Sequence, residues 1–304
     1  AQYMEEELGG LENKTPRFRY LFQRLAESAA QVVEQMIEEL KCSDFQPVAF
    51  ELGFGTEDGL PPVTLKVDGI TVAVSGVVDR VDGWTKDGRL YVRVMDYKTG
   101  RKSFDLTDVW HGLNLQMLLY LFTLEEKGMP GVDRPIVPAG VLYLPAREEH
   151  LTGSRTMDEE SRRKALDSKL RRSGLILNDP NVVDAMEHIP LGSDARFLPV
   201  RVSKRTGAIS GDALASAVQL GKLRKHIHHI LRQIAQEIGS GNIQADPWYR
   251  DERRTACAWC DYASACHFED GRCGERSRYL YPVKGTEFWE QLDEEERSDE
   301  KEGD

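Results

Sequence analysis

The chain has 304 residues and carries 51 acidic against 40 basic side chains, a formal charge of −11. That length allows one large domain or two modest ones, and 40% hydrophobic with 30% charged residues excludes a disordered chain. No apolar run is long enough to span a bilayer, no apolar signal segment opens the sequence, and five cysteines are too few and too odd a number for a disulfide framework. A cytoplasmic protein without membrane contact is expected. Taken alone, −11 also argues against nucleic acid as a ligand. The run Glu290–Asp304, however, holds nine acids and two bases, so −7 of the −11 lies there and the other 289 residues carry −4.

Residues 16 to 41 read as a helix, with Phe22, Leu25, Ala29, Val33, Met36 and Leu40 three or four apart. From Phe45 the pattern changes. Val48–Phe54, Val63–Val67, Thr71–Val81 and Leu90–Tyr97 are rich in β-branched and aromatic residues and are parted by turn signals such as Asp68-Gly69 and Asp87-Gly88, which predicts an antiparallel meander. Asp105 to Lys127 reads as one helix capped by Asp105 or Thr107. Ile136–Leu144 is an apolar run of strand length that should join the same sheet, giving an α/β core. Met157–Ser173 and Gly211–Ile238 read as further helices. The expected organisation is a helical lead-in over 1–44, a core over 45–150, a helical and cysteine-bearing region over 151–285, and a disordered acidic tail over 286–304.

Chemistry concentrates in Gly76-Val77-Val78-Asp79-Arg80-Val81-Asp82 and Val94-Met95-Asp96-Tyr97-Lys98-Thr99-Gly100. On a strand Asp96 and Lys98 share a face and Tyr97 points away, while a plausible hairpin register sets Asp79 beside Asp96. Two carboxylates interrupting apolar strands are costly without a reason, and a hard cation such as Mg²⁺ between them supplies one. Lys98 is then suited to holding an attacking water or stabilising charge on a phosphoryl oxygen. Asp82 has the wrong parity and should point away. Glu51 should pair with a neighbouring base, His111 lies off the face of Gln116, and His226, His228 and His229 flank a buried stripe on a solvated or DNA-facing basic face. In the helix that follows, Gln116 and Tyr120 are spaced i, i+4 and project together.

Asp79, then Asp96-x-Lys98, then Gln116-x-x-x-Tyr120, in that order within 42 residues, resembles the RecB-like branch of the PD-(D/E)-x-K nuclease superfamily. The resemblance implies a restriction-endonuclease-like fold with a mixed central sheet flanked by helices. It also implies Mg²⁺ held by Asp79, Asp96 and the backbone carbonyl of Tyr97, with Lys98, Gln116 and Tyr120 completing the catalytic set. Cys257, Cys260 and Cys266 form a C-x2-C-x5-C run whose spacing by itself suits zinc or an iron–sulfur cluster. The resemblance favours a [4Fe–4S] clasp, with Cys42, Cys273 or a cysteine outside this chain as fourth ligand, and an incomplete cluster in the last case. The upstream Gly-x-x-x-His helix of that branch is not found before Phe45.

Phe50-Glu51-Leu52-Gly53-Phe54-Gly55, Pro138–Arg147 and Arg172–Leu177 are further similar to the AddB-type family of ATP-dependent helicase–nuclease subunits. No Gly-x-x-x-x-Gly-Lys-Ser/Thr loop is present, so this chain corresponds to the nuclease portion. The implied activity is exonucleolytic processing of DNA ends in double-strand-break repair, beside an AddA-type partner that supplies unwinding. The competing expectation is an inactive, metal-clasped module that binds DNA or docks a partner protein.

Overall fold

A computed structural model describes residues 14–57, 59–100, 102–147, 157–190, 192–272 and 274–302, together with residues 6, 9 and 10. Helix α1 (Pro16–Lys41) starts where the Thr15 hydroxyl accepts the Phe18 N–H and Pro16 occupies the first turn, where no donor is missed. Strands β1 (Gln46–Phe54), β2 (Val63–Val67), β3 (Ile70–Val74), β4 (Gly76–Lys86) and β5 (Arg89–Lys98) follow. They do not form a sequential meander. The expected strand Thr71–Val81 breaks at Ser75; β2 and β3 make a separate hairpin, and β1 pairs with β4 across it.

The helix expected over Asp105–Lys127 is two helices, α2 (Leu106–Trp110) and α3 (Gln116–Lys127). Gly112 and Asn114 both take left-handed φ, +79° and +56°, which no α-helix accommodates. Every residue of α3 from Met117 to Leu124 is buried. The helix lies on β5 and on β6 (Ile136–Pro145), which returns parallel to β5. Helix α4 (Glu159–Leu170) leads to β7 (Ser173–Leu177), antiparallel to β6, and α5 (Pro180–Met186) follows. The short pair β8 (Arg201–Val202) and β9 (Ile209–Ser210) precedes β10 (Leu214–Ala215).

The central sheet has the order β1-β4-β5-β6-β7-β10, with antiparallel and parallel neighbours, so it is mixed and flanked by helices as expected. It extends past the boundary expected at residue 150, because β7 and β10 close it. Its core is Val81, Val92, Val94, Met95, Val141 and Leu142 with Leu118, Leu121 and Leu124 of α3, all buried. At roughly 1.5–3 kcal/mol per fully buried aliphatic side chain, this layer dominates the stability of the sheet.

Helix α6 (Ala217–Ser240) opens on a capping box between Ser216 and Gln219. A small sheet of β11 (Trp248–Asp251), β12 (Arg254–Thr255) and β13 (Arg278–Tyr279) frames a 3₁₀ turn (Ala256–Trp259) and helix α7 (Ala263–Cys266). The acidic run is not a loose tail. It forms helix α8 (Gly285–Glu302), whose Phe288 and Leu292 are buried in the core cluster. Its acids meet α6: Lys222 pairs with Asp293 at 2.6 Å, Lys225 with Glu296, and His226 Nδ1 lies 2.6 Å from Glu295. The basic face of α6 is therefore covered by α8 at these positions, and His226 is buried against Trp110. No helix among the described residues is long and apolar enough to cross a membrane.

Candidate active site

The β4–β5 ladder ends at the pair Arg80–Met95, so Asp79 and Asp96 are the next positions out, opposite each other at the end of the hairpin. Directly opposed residues carry their Cβ atoms about 5 Å apart. Asp79 Oδ2 accepts the backbone N–H of Tyr97 at 2.8 Å, which ties the two strand ends together and leaves Oδ1 unused. Asp96 forms an ion pair with Lys98, two residues on along the same face. Apart from that pair, Asp96 Oδ2 is buried without a hydrogen-bond partner. Lys98 also lies 5.3 Å from the centre of the Tyr143 ring.

Tyr143 carries no distinguishing mark in the sequence, because it sits inside the apolar run Val141–Leu144. Its position follows from a bulge. Val92 pairs with Pro138 but Arg93 with Gly140, so Ala139 is the extra residue and Asp96 comes to lie beside Tyr143 instead of Leu142. Burial, with the carboxylates of Asp96 and Asp108 adding to it, pushes the Tyr143 phenol up to about 12. It stays protonated at physiological pH.

Gln116 and Tyr120 meet as their spacing predicts: Gln116 Nε2 donates to the Tyr120 hydroxyl at 3.0 Å. The Tyr120 ring stacks on Phe54 with centroids 4.7 Å apart, and its hydroxyl covers Gly76 at the start of β4. A Cβ at Gly76 would sit 1.8 Å from that hydroxyl, so only glycine leaves room. Neither side chain is hydrogen-bonded to Lys98; they abut β4 three residues before Asp79.

Behind the hairpin lies a network of fully buried charges. Arg80 and Arg93 both bind Asp82, at 2.8 and 2.9 Å, and Arg93 and Arg172 both reach Glu39 of α1, at 3.2 and 2.8 Å. Asp82 thus points away from Asp79, as its parity required. Arg80 also donates to the Tyr97 hydroxyl at 3.3 Å, so the network supports the peptide that joins Asp96 to Lys98. Burial alone would raise the Glu39 pKa, but Arg172, Arg93 and Arg80 overcome it and hold the carboxyl below its ordinary range.

The remaining sequence candidates do not converge. Glu51 stands opposite Asp79 in the β1–β4 register with a left-handed φ of +47° and is exposed, with no ion pair among the described residues. His111 ends α2 and contacts the Tyr281 carbonyl oxygen at 3.0 Å. Cys257 is half-buried while Cys260 and Cys266 are exposed. Cys42 caps α1 with its thiol donating to the Glu39 carbonyl at 3.2 Å, and burial, with Glu187 and Glu39 adding, raises its pKa, the opposite of what a thiolate ligand needs. Cys273 lies outside the described residues. Among the described residues no three His, Cys, Asp or Glu side chains gather as a metal-holding group. As arranged, the thiols do not form a cluster site. The pair of carboxylates does suit Mg²⁺, which commonly takes one or two protein carboxylates and keeps several waters.

A family described as the PD-(D/E)XK nuclease superfamily matches residues 1–267. The chain is 33% identical over 281 residues to the B subunit of the ATP-dependent helicase/deoxyribonuclease of Acetivibrio thermocellus, an alignment covering 92% of this chain and 24% of that protein. It is 30% identical over 295 residues to the protein of the same name from Clostridium acetobutylicum, covering 97% and 25%, and 32% identical over 289 residues to that of Clostridium novyi, covering 95% and 25%. The chain spans about a quarter of the length of these curated relatives.

Proposed function

Because the chain belongs to the PD-(D/E)XK nuclease superfamily, we propose that it hydrolyses DNA phosphodiester bonds at the open end of the β4–β5 hairpin, as the Mg²⁺-dependent exonuclease module of a helicase–nuclease complex. The observation that carries this reading is the meeting of Asp79, Asp96 and Lys98 at one strand end, with a buried Asp96 oxygen lacking a hydrogen bond. Asp79, Asp96 and the Tyr97 carbonyl hold the cation. When bound, the ion neutralises charge on the phosphoryl oxygens and makes a water more acidic.

Lys98 spends one donor on Asp96 and keeps two, enough to orient a water for in-line attack or to meet a phosphoryl oxygen. The water oxygen bonds to phosphorus as the ester bond to the leaving sugar oxygen breaks. Gln116 and Tyr120 hold the start of β4 and the strand that crosses it. The names of the relatives support an AddB-type chain that processes DNA ends in break repair beside an AddA-type partner. Cys257, Cys260 and Cys266 remain the candidate thiolates for a [4Fe–4S] clasp on the strength of their spacing alone, and no step depends on it.

The test is degradation of linear DNA with Mg²⁺, by the chain alone and by the full-length protein in its complex. Asp96→Asn and Lys98→Ala are each expected to lower the rate at least about 10²-fold without changing the melting temperature. Normal degradation by either variant would overturn the assignment. A wild-type protein that stays inactive in its complex would instead favour the DNA-binding or docking module.

A further inference from the structure

The row of residues across the sheet that contains Asp79 and Asp96 does not stop at the candidate metal site. Asp96 is paired with Tyr143, and Tyr143 with Ser173, so all three project from one face. At about 4.8 Å per strand, Ser173 lies roughly 10 Å from Asp96. Beyond it opens a cleft of about 620 Å³ between the start of β7, the loop before α2 and the start of α8, with Phe104, Arg171, Ser173, Arg201, Asp212 and Lys284 in its wall.

We infer that this cleft binds a single-stranded polynucleotide, taking the sugar–phosphate and base that adjoin the scissile linkage after the strand has crossed Tyr143. The inference rests on the nuclease reading of Asp96 and extends it to the path of the substrate.

Charge is the first argument. Arg201 and Lys284 are exposed and make no ion pair among the described residues. Arg171 donates through Nη2 to the Ala195 carbonyl at 2.8 Å, but its Nε is buried with no partner, a donor left without an acceptor in the cleft wall. Of the two acids in the wall, Asp105 is already engaged: it accepts the Thr107 N–H at 2.9 Å and pairs with Arg250 at 3.4 Å. Asp212 alone opposes three cations. The approach is also positive, because Lys98 and Lys102 stand 5.3 and 5.7 Å from the Tyr143 ring. Burial and the neighbouring Lys98 lower the Lys102 pKa, the response of an ammonium that lacks enough anions.

Shape is the second argument. The volume falls in the range of pockets for small ligands, about 300–1,000 Å³, and suits one or two unstacked nucleotides. A duplex, with a major groove alone about 12 Å wide, does not enter such a space. Phe104 offers a ring for a base; it lies 6.4 Å from Tyr143, so two aromatic platforms follow one another along the route. The Ser173 hydroxyl accepts the Phe104 N–H at 3.1 Å and keeps its own proton to donate to a phosphate.

The experiment is fluorescence anisotropy of a labelled twelve-residue oligothymidylate in EDTA, where cleavage is silent, read at several salt concentrations. The proteins are the whole chain, its Asp96→Asn variant and the doubly substituted Arg201→Ala/Lys284→Ala variant, whose two sites are exposed and outside the core. The expected result is equal binding by the first two. The double variant should bind about tenfold more weakly, with a log K against log salt slope shallower by about 1.4, for two phosphate contacts.

Unchanged affinity and slope in the double variant, equal competition by a blunt duplex, or no binding by the wild-type chain at low salt would overturn the cleft assignment. Cleavage is scored separately. Loss of Mg²⁺-dependent cleavage in Asp96→Asn alongside normal binding by the double variant sinks the cleft alone; undiminished cleavage by Asp96→Asn sinks the nuclease reading.

Discussion

Gly76 and Tyr120 form the tightest single contact near the site. Tyr120 is buried and stacked on Phe54, so its hydroxyl cannot swing away from an added methyl. Gly76→Ala is therefore expected to destabilise the chain by about 1–3 kcal/mol in urea unfolding. Tyr120→Phe in the same chain should recover part of that loss, because the nearest ring atom left is 3.0 Å from the new Cβ. A strictly additive double variant would show that the two positions are uncoupled. The carboxylates and Lys98 were legible in the sequence because charge inside apolar strands needs a reason. Tyr143 was not, since only the bulge at Ala139 sets its pairing with Asp96, and a single apolar run carries no sign of a bulge.

At the scale of elements, α8 on α6 separates two kinds of contact. Leu292 is buried, and Leu292→Ala should cost about 2–5 kcal/mol. The Lys225 side chain is 66% exposed, so Lys225→Ala should cost less than about 1 kcal/mol despite its ion pair with Glu296. Thermal melts of both variants check the contrast, and similar losses would mean that charge, not burial, docks the helix. This helix was hidden in the sequence by its charge count: nine acids in fifteen residues mask Phe288 and Leu292, which are spaced four apart on one face. The break between α2 and α3 was equally hidden. The apolar stripe runs through it unchanged, and only Gly112 and Asn114 mark it. The mixed sheet was the more legible part, since a helix between two strands brings the second back parallel to the first.

Across the whole molecule, Glu39 joins α1 to the sheet through Arg93 of β5 and to Arg172, just ahead of β7. Its carboxyl titrates below the ordinary range in the folded chain, so the unfolded chain binds the proton more readily. The stability this supplies is complete above the usual carboxylate range and is lost as pH falls through the folded value. Glu39→Gln should remove that acid dependence and cost about 3–5 kcal/mol at neutral pH, since two buried arginines lose their partner. Urea titrations at pH 7 and near pH 4 measure both effects. Unequal anchoring of α1 follows from the same contact. Glu39 is locked at its C-terminal end, whereas Tyr20, Leu21, Leu25 and Val33 lie bare along the rest. In deuterium exchange, the amides near Leu40 should stay closed with the sheet while those around Leu21 and Leu25 open first, so α1 frays from its start toward Glu39 and its two ends report on different events.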